Sequence, residues 1–204
     1  MTRSAPPFDA SPEGVPAALA IARTRAWVRR AVIGLNLCPF ARAVDVKDQI
    51  RYVVSEATDA ETLLATLVIE LQRLADTAPA LVDTTMVIHP WVFGDFEDFN
   101  DFLELADAAV DDLGFNGVLQ VASFHPRFQF AGTEPDDITN ATNRSPYPTL
   151  HLLREDSVDR AVAAFPEAEA IFERNMATLE KLGPDGWAAV RKRWEDDAAA
   201  GSGG

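Results

Sequence analysis

Apolar residues recur along most of this chain at either helical or alternating spacing, and the changes of period mark its elements. Pro16 suits a helix start, where its missing N–H would have no partner in any case. From Ala17 to about Leu35 the apolar positions, among them Trp27, Val28, Ala31, Val32 and Leu35, follow helical spacing until Pro39 ends the run. Ile50 to Ser55 reads as a strand, and Thr58 with Glu61 as a capping box opening a helix that carries Leu64, Leu67, Val68, Leu71 and Leu74. Thr84 to His89 is β-branched and apolar, the pattern of a buried strand. The helix from Phe96 to Leu113 places Phe96, Phe99, Leu103, Ala106, Val110 and Leu113 on one stripe. Gly114 and Gly117 bracket a turn into a strand from Val118 to His125, and Thr149 to Leu153 is another strand after a long gap. Helices follow at 157–164, at 166–182, and from Pro184 onward through Trp187 and Trp194.

This order predicts one α+β domain, an α/β sandwich with about four strands in a mixed sheet and added N- and C-terminal helices. A ferredoxin-like arrangement is the nearest common plan. The domain is expected over 15–197, with 1–14 and 198–204, rich in Pro, Ala, Gly and Ser, as disordered ends. With 204 residues the chain can build such a core without disulfides or a structural metal.

Composition narrows the function classes. The formal net charge is −14, yet residues 1–43 hold six arginines against Asp9 and Glu13, so the body is strongly acidic. An acidic body disfavours broad nucleic-acid binding, and no apolar run approaches the ~20 residues of a membrane span. The arginines at 23, 25, 29 and 30 read as a helix face attracted to that body. The eight acidic residues of 95–112, with no basic one among them, read as a solvated face. The single cysteine, Cys38, precludes an internal disulfide, and the opening MTRSAPPFDASPEG has no apolar core for a secretion signal. Both features point to the cytoplasm.

Two features carry candidate chemistry. Pro126 to Pro148 is longer than the ~12–15 residues usual for structureless loops, and it concentrates Arg127, Gln129, Asn140, Asn143, Arg144 and Ser145. Guanidinium groups match carboxylate or phosphate in two-pronged contacts, and the amides can orient a substrate. The three histidines form the second feature. His89 and His125 each end a predicted strand before a proline, and His151 lies near the start of the strand that returns. Parallel strands joined by a crossover helix would bring all three to one rim of the sheet, where open α/β sheets bind ligands. There they can serve as acid and base, or hold one divalent metal such as zinc, iron or manganese. Their spacing matches no zinc signature, and whether His89 shares a face with His125 is open. Cys38 is either a buried thiol or a nucleophile with a histidine as base.

The strings GLNLCPFA, TTMVIHPWVFGDFEDF, VASFHPRFQFAGT and TNRSPYPTLHLLRE resemble an uncharacterised bacterial family catalogued as a domain of unknown function. The resemblance covers about residues 17–182. It implies that Cys38, His89, His125, Arg127, Gln129, Asn140, Asn143, Arg144 and His151 belong to one pattern, and it implies no reaction, cofactor or substrate. The leading expectation is therefore an enzyme acting on a small anionic metabolite through a rim of three histidines and two loop arginines. Two alternatives stand beside it: an acyl or thiol enzyme using Cys38, and a non-enzymatic module that senses a ligand or binds a partner.

Overall fold

A computed structural model describes residues 15–164 and 170–201. The expected loose N-terminus, residues 1–14, lies outside the described residues, as do 165–169 and 202–204. Helix α1 (Ala17–Trp27) continues into a π-helical segment (Val28–Ile33), and a short α2 (Ala41–Val46) follows. Then come β1 (Ile50–Val54), α3 (Ala60–Asp76), β2 (Thr84–Ile88), α4 (Phe96–Asp112) and β3 (Leu119–Phe124). The long connection holds one 3₁₀ helix (Ile138–Asn143) and leads to β4 (Thr149–Arg154), α5 (Glu155–Ala163) and α6 (Ile171–Gly201).

The mixed sheet has the order β1-β2-β4-β3, with β1 and β2 parallel and β4 antiparallel to both of its neighbours. The fold is thus α+β, but the ferredoxin-like order is not adopted. That plan needs a β-α-β-β-α-β chain, whereas here two βα units run in succession and the last strand inserts between β2 and β3. Because both flanking strands oppose β4, β2 and β3 still point the same way. Ile88 and Phe124 both lie opposite Thr149, which puts the C-terminal ends of the two strands level at one rim.

Helices cover both faces. On one side α3 supplies Leu63, Leu67, Leu71 and Leu74 and α4 supplies Phe99, Phe102, Ala106 and Val110, packed on Val87, Leu119, Leu150 and Leu152. On the other side Trp27, Val28 and Ala31 meet Val190, Trp194 and Ala198 over Met86. Every residue of β2 is buried, since successive side chains alternate between two covered faces; this explains its unbroken apolar run. Helix α3 begins one residue later than the capping box predicts: Asp59 accepts from the Thr62 N–H at 2.8 Å, a stronger cap than a threonine at 58. Helix α6 is two arms joined at Gly183, whose φ of 67° an L side chain rarely adopts, with Pro184 opening the second arm. That arm runs to Gly201 and buries Ala198, so residues 198–201 are helical rather than a loose tail. The alanines there are good helix formers, and one of them packs against α1. Among the described residues, no helix is long and apolar enough to cross a membrane.

Candidate functional site

The three histidines divide between the two faces of the sheet. His151 lies opposite Met86 and Ala122, so it shares the Met86 face, toward α1 and α6. There the Thr84 hydroxyl donates to the Leu152 carbonyl, which leaves Thr84 Oγ1 to accept from His151 Nε2–H at 2.6 Å. His89 and His125 follow Ile88 and Phe124, point to the α3–α4 side, and sandwich Phe99, with centroid distances of 5.3 and 5.4 Å. The three-histidine metal centre is therefore not assembled, because strand register sends one ligand through the sheet. Among the described residues no group of three or more His, Cys, Asp or Glu is placed to hold a metal ion.

The backbone holds the other two histidines. His125 Nδ1 accepts from the Arg127 N–H at 3.0 Å, which fixes the proton on Nε2, and Nε2 donates to the Phe93 carbonyl at 3.0 Å. Phe93 has a φ of 57°, a strained conformation for an aromatic residue, and this hydrogen bond helps to hold it. His89 Nδ1 donates to the Val92 carbonyl at 3.3 Å, and its Nε2 is buried without a partner among the described residues. Burial lowers the pKa of His89 to about 3 and those of His125 and His151 to about 4. All three are thus neutral at pH 7 and too weakly basic for acid–base work there; His89 and His125 clamp the turns at the strand ends, and His151 ties β4 to β2.

The loop residues divide in a similar way. Asn140 is fully buried and its amide is engaged at both ends: Oδ1 accepts from Phe130 N–H and the Thr133 hydroxyl, and Nδ2 donates to the Glu134 carbonyl, each at 2.9 Å. Asn143 Nδ2 donates to the Ser123 carbonyl at 3.4 Å. Neither asparagine reaches the cleft described next, so both are loop braces rather than ligand contacts. Arg127, Gln129, Arg144 and Ser145 do line that cleft, though each also ties down backbone. Arg127 donates to the Gly94 carbonyl and pairs with Asp95 at 3.2 Å; Gln129 donates to the Thr133 carbonyl at 2.5 Å. Arg144 donates to the Phe128 and Pro135 carbonyls at 3.1 and 2.6 Å, and the Ser145 hydroxyl to the Tyr147 carbonyl at 2.6 Å.

The cleft has a volume of about 970 Å³ and opens beside the rim, between the start of α1, the start of α4, the long loop and the second arm of α6. Four arginines line it, Arg23, Arg127, Arg144 and Arg191, against Asp95, Glu97 and Glu195. Arg23 bridges Glu195 Oε2 at 2.8 Å and the Tyr147 hydroxyl at 2.7 Å. Because the guanidinium donates to the phenol oxygen, the phenol hydrogen is turned elsewhere, and it has no acceptor among the described residues. Tyr147 is only 6% exposed, and burial raises its pKa, so at neutral pH it is a hydrogen-bond donor. Arg191 is exposed and has no hydrogen bond or ion pair among the described residues. The aromatic rings of Phe96, Trp187 and Trp194 complete the walls.

Sequence reasoning missed Arg23, Tyr147, Trp187, Arg191, Trp194 and Glu195 as site residues. Trp187, Arg191, Trp194 and Glu195 stand at i, i+4, i+7 and i+8, a single helix face, and that spacing was the available signal. Of the other arginines on the first helix face, Arg29 pairs with Asp45 and Arg30 with Asp197 as expected, whereas Arg25 stacks over the Tyr52 ring with its Nε buried and without a hydrogen-bond partner among the described residues. Cys38 lies at the edge of the core between α1 and α6 and outside the cleft. Burial pushes its thiol pKa up, against smaller opposing effects from the backbone N–H groups of Phe40 and Ala41, so it lacks the thiolate character of a nucleophile.

Residues 19–189 match the family described as protein of unknown function (DUF1415), and the chain belongs to that family. No curated protein matches the chain. Nor does any solved structure.

Proposed function

For this member of a family without an assigned reaction, we propose that the cleft binds a small anionic molecule bearing a carboxylate or phosphate. The observation that carries this is the pair of unengaged donors, the Tyr147 phenol hydrogen and the Arg191 guanidinium, in a cleft lined by four arginines. An anion in the cleft can accept from the Tyr147 phenol, a charge-assisted bond stronger than one between neutral groups. Guanidinium offers the anion two parallel N–H bonds, and half-enclosure strengthens them relative to water. That the whole protein is acidic does not oppose this, because the cleft's own arginines set its local field.

The same donors suit an enzyme acting on an anionic metabolite, where they would stabilise charge developing on a substrate oxygen. Isothermal titration of acetate and of inorganic phosphate into the whole protein tests the reading. We expect at least one of these anions to bind, with affinity reduced about 10- to 100-fold by Tyr147→Phe, the size of one hydrogen bond to a charged group. Binding of neither anion, or binding that Tyr147→Phe and Arg191→Ala both leave unchanged, contradicts it.

A further inference from the structure

We infer that the ligand of this cleft is an aromatic monocarboxylate, its ring seated between Trp187 and Phe96 and its carboxylate on Arg191 and Tyr147. This rests on the anion-binding reading and narrows it to one chemical class. Three observations lead there. The first is size: about 970 Å³ is far more than a bare acetate or phosphate fills and lies in the range of pockets that hold drug-sized molecules.

The second is charge. Asp95 is paired with Arg127 and Glu195 with Arg23, and the four arginines exceed the three carboxylates by a single formal charge. A single negative charge balances that excess, whereas a dianion overshoots it and meets the repulsion of Glu97.

The third is the placement of the rings. Trp187 and Arg191 are four residues apart on the second arm of α6, so an indole and an unpaired guanidinium sit side by side on one helix face. The Trp187 ring is held edge-on to Trp194, with centroids 5.4 Å apart at 71°, and it is half-buried rather than sealed in the core. Phe96 lines the cleft from the start of α4, a different element, and is fixed against Phe128 at 5.1 Å and His125 at 5.4 Å. Rigid aromatic walls beside a cation select a flat ring that carries an anionic substituent.

The test is calorimetric titration of benzoate, cyclohexanecarboxylate and acetate into the whole protein and into Trp187→Leu, with Phe96→Leu as the second variant should the first fail to fold. Thermal melts check folding. We expect benzoate to bind at least about tenfold more tightly than acetate and about threefold more tightly than its saturated analogue. Either variant should shrink the advantage of benzoate over acetate at least about threefold. Equal affinity for benzoate and acetate overturns the aromatic assignment while the anion-binding reading stands. An advantage undiminished in both variants also overturns it. If no carboxylate binds and inorganic phosphate does, the inference fails and the broader reading survives; if no anion binds at all, both fall.

Discussion

Two polar regions lie at the same end of the sheet, and they differ in what they leave open to a ligand: the unengaged His89 Nε2 of the rim is sealed in the core, whereas the unengaged donors of the cleft line an open space. At the rim, His125 engages both ring nitrogens with backbone, and burial holds His89 and His125 neutral. In the cleft beside it, Tyr147 and Arg191 keep donors that nothing in the described chain accepts. Residue type alone favours the histidines as the functional group. Satisfaction of donors and acceptors favours the cleft instead, since a side chain saturated by its own backbone has little left for a ligand. The regions are also linked. His125 fixes the Phe93 turn, and from that turn Gly94 and Asp95 hold Arg127 at the mouth of the cleft. The rim is thus the frame of the cleft wall.

The strongest way to separate the two regions is acid. The folded pKa values of His89 and His125, about 3 and about 4, lie below the ~6.5 of the unfolded chain, so the unfolded state binds more protons in between. The stability they contribute is complete above about pH 6.5 and is lost as pH falls toward their folded values. Each should remove about 1.4 kcal/mol per pH unit in that window, as should His151, whose folded value is also about 4, so urea unfolding should weaken by about 6 kcal/mol between pH 7 and pH 5. Over the same interval anion affinity should change by less than about twofold, because burial raises the Tyr147 pKa and the phenol stays a donor throughout.

Removing a clamp should come next in size. His125→Ala leaves the Phe93 carbonyl and the Arg127 N–H without partners and opens a space beside Phe99, and we expect a loss of about 2–4 kcal/mol in chemical denaturation. Arg191→Ala should do the reverse. Stability should stay within about 0.5 kcal/mol, because the side chain is exposed and unpaired, while anion affinity falls about 10- to 100-fold. The smallest effect concerns Cys38. Its thiol should react with a labelling reagent at pH 7.5 more than about tenfold slower than free cysteine, and saturating anion should not change the rate, since the residue lies outside the cleft.

How much was legible in the sequence follows from the range of each interaction. The strand at Thr84–Ile88, the stripe through Phe99, Ala106 and Val110, and the break at Pro184 rest on local period and proline chemistry, and all are present. The rim positions of His89 and His125 follow from the crossover between their strands, a short-range topological rule. The face of His151 was out of reach, because it depends on the register of β4 against β2, which only the assembled sheet sets. The strand order was hidden for the same reason. The cleft depends on α1 packing against an arm of α6 more than 150 residues later, where Arg23 meets Glu195. Local patterning shows that Trp187 and Arg191 share a helix face; it cannot show what that face meets.

The contrast between rim and cleft comes down to one side-by-side titration, benzoate into Arg191→Ala and into His125→Gln, each compared with the unmodified protein at pH 7. We expect affinity to fall at least about tenfold in Arg191→Ala and to stay within about threefold in His125→Gln, provided melts show both folded. The opposite pattern, affinity kept without the arginine and lost without the histidine, would return the function to the histidine rim.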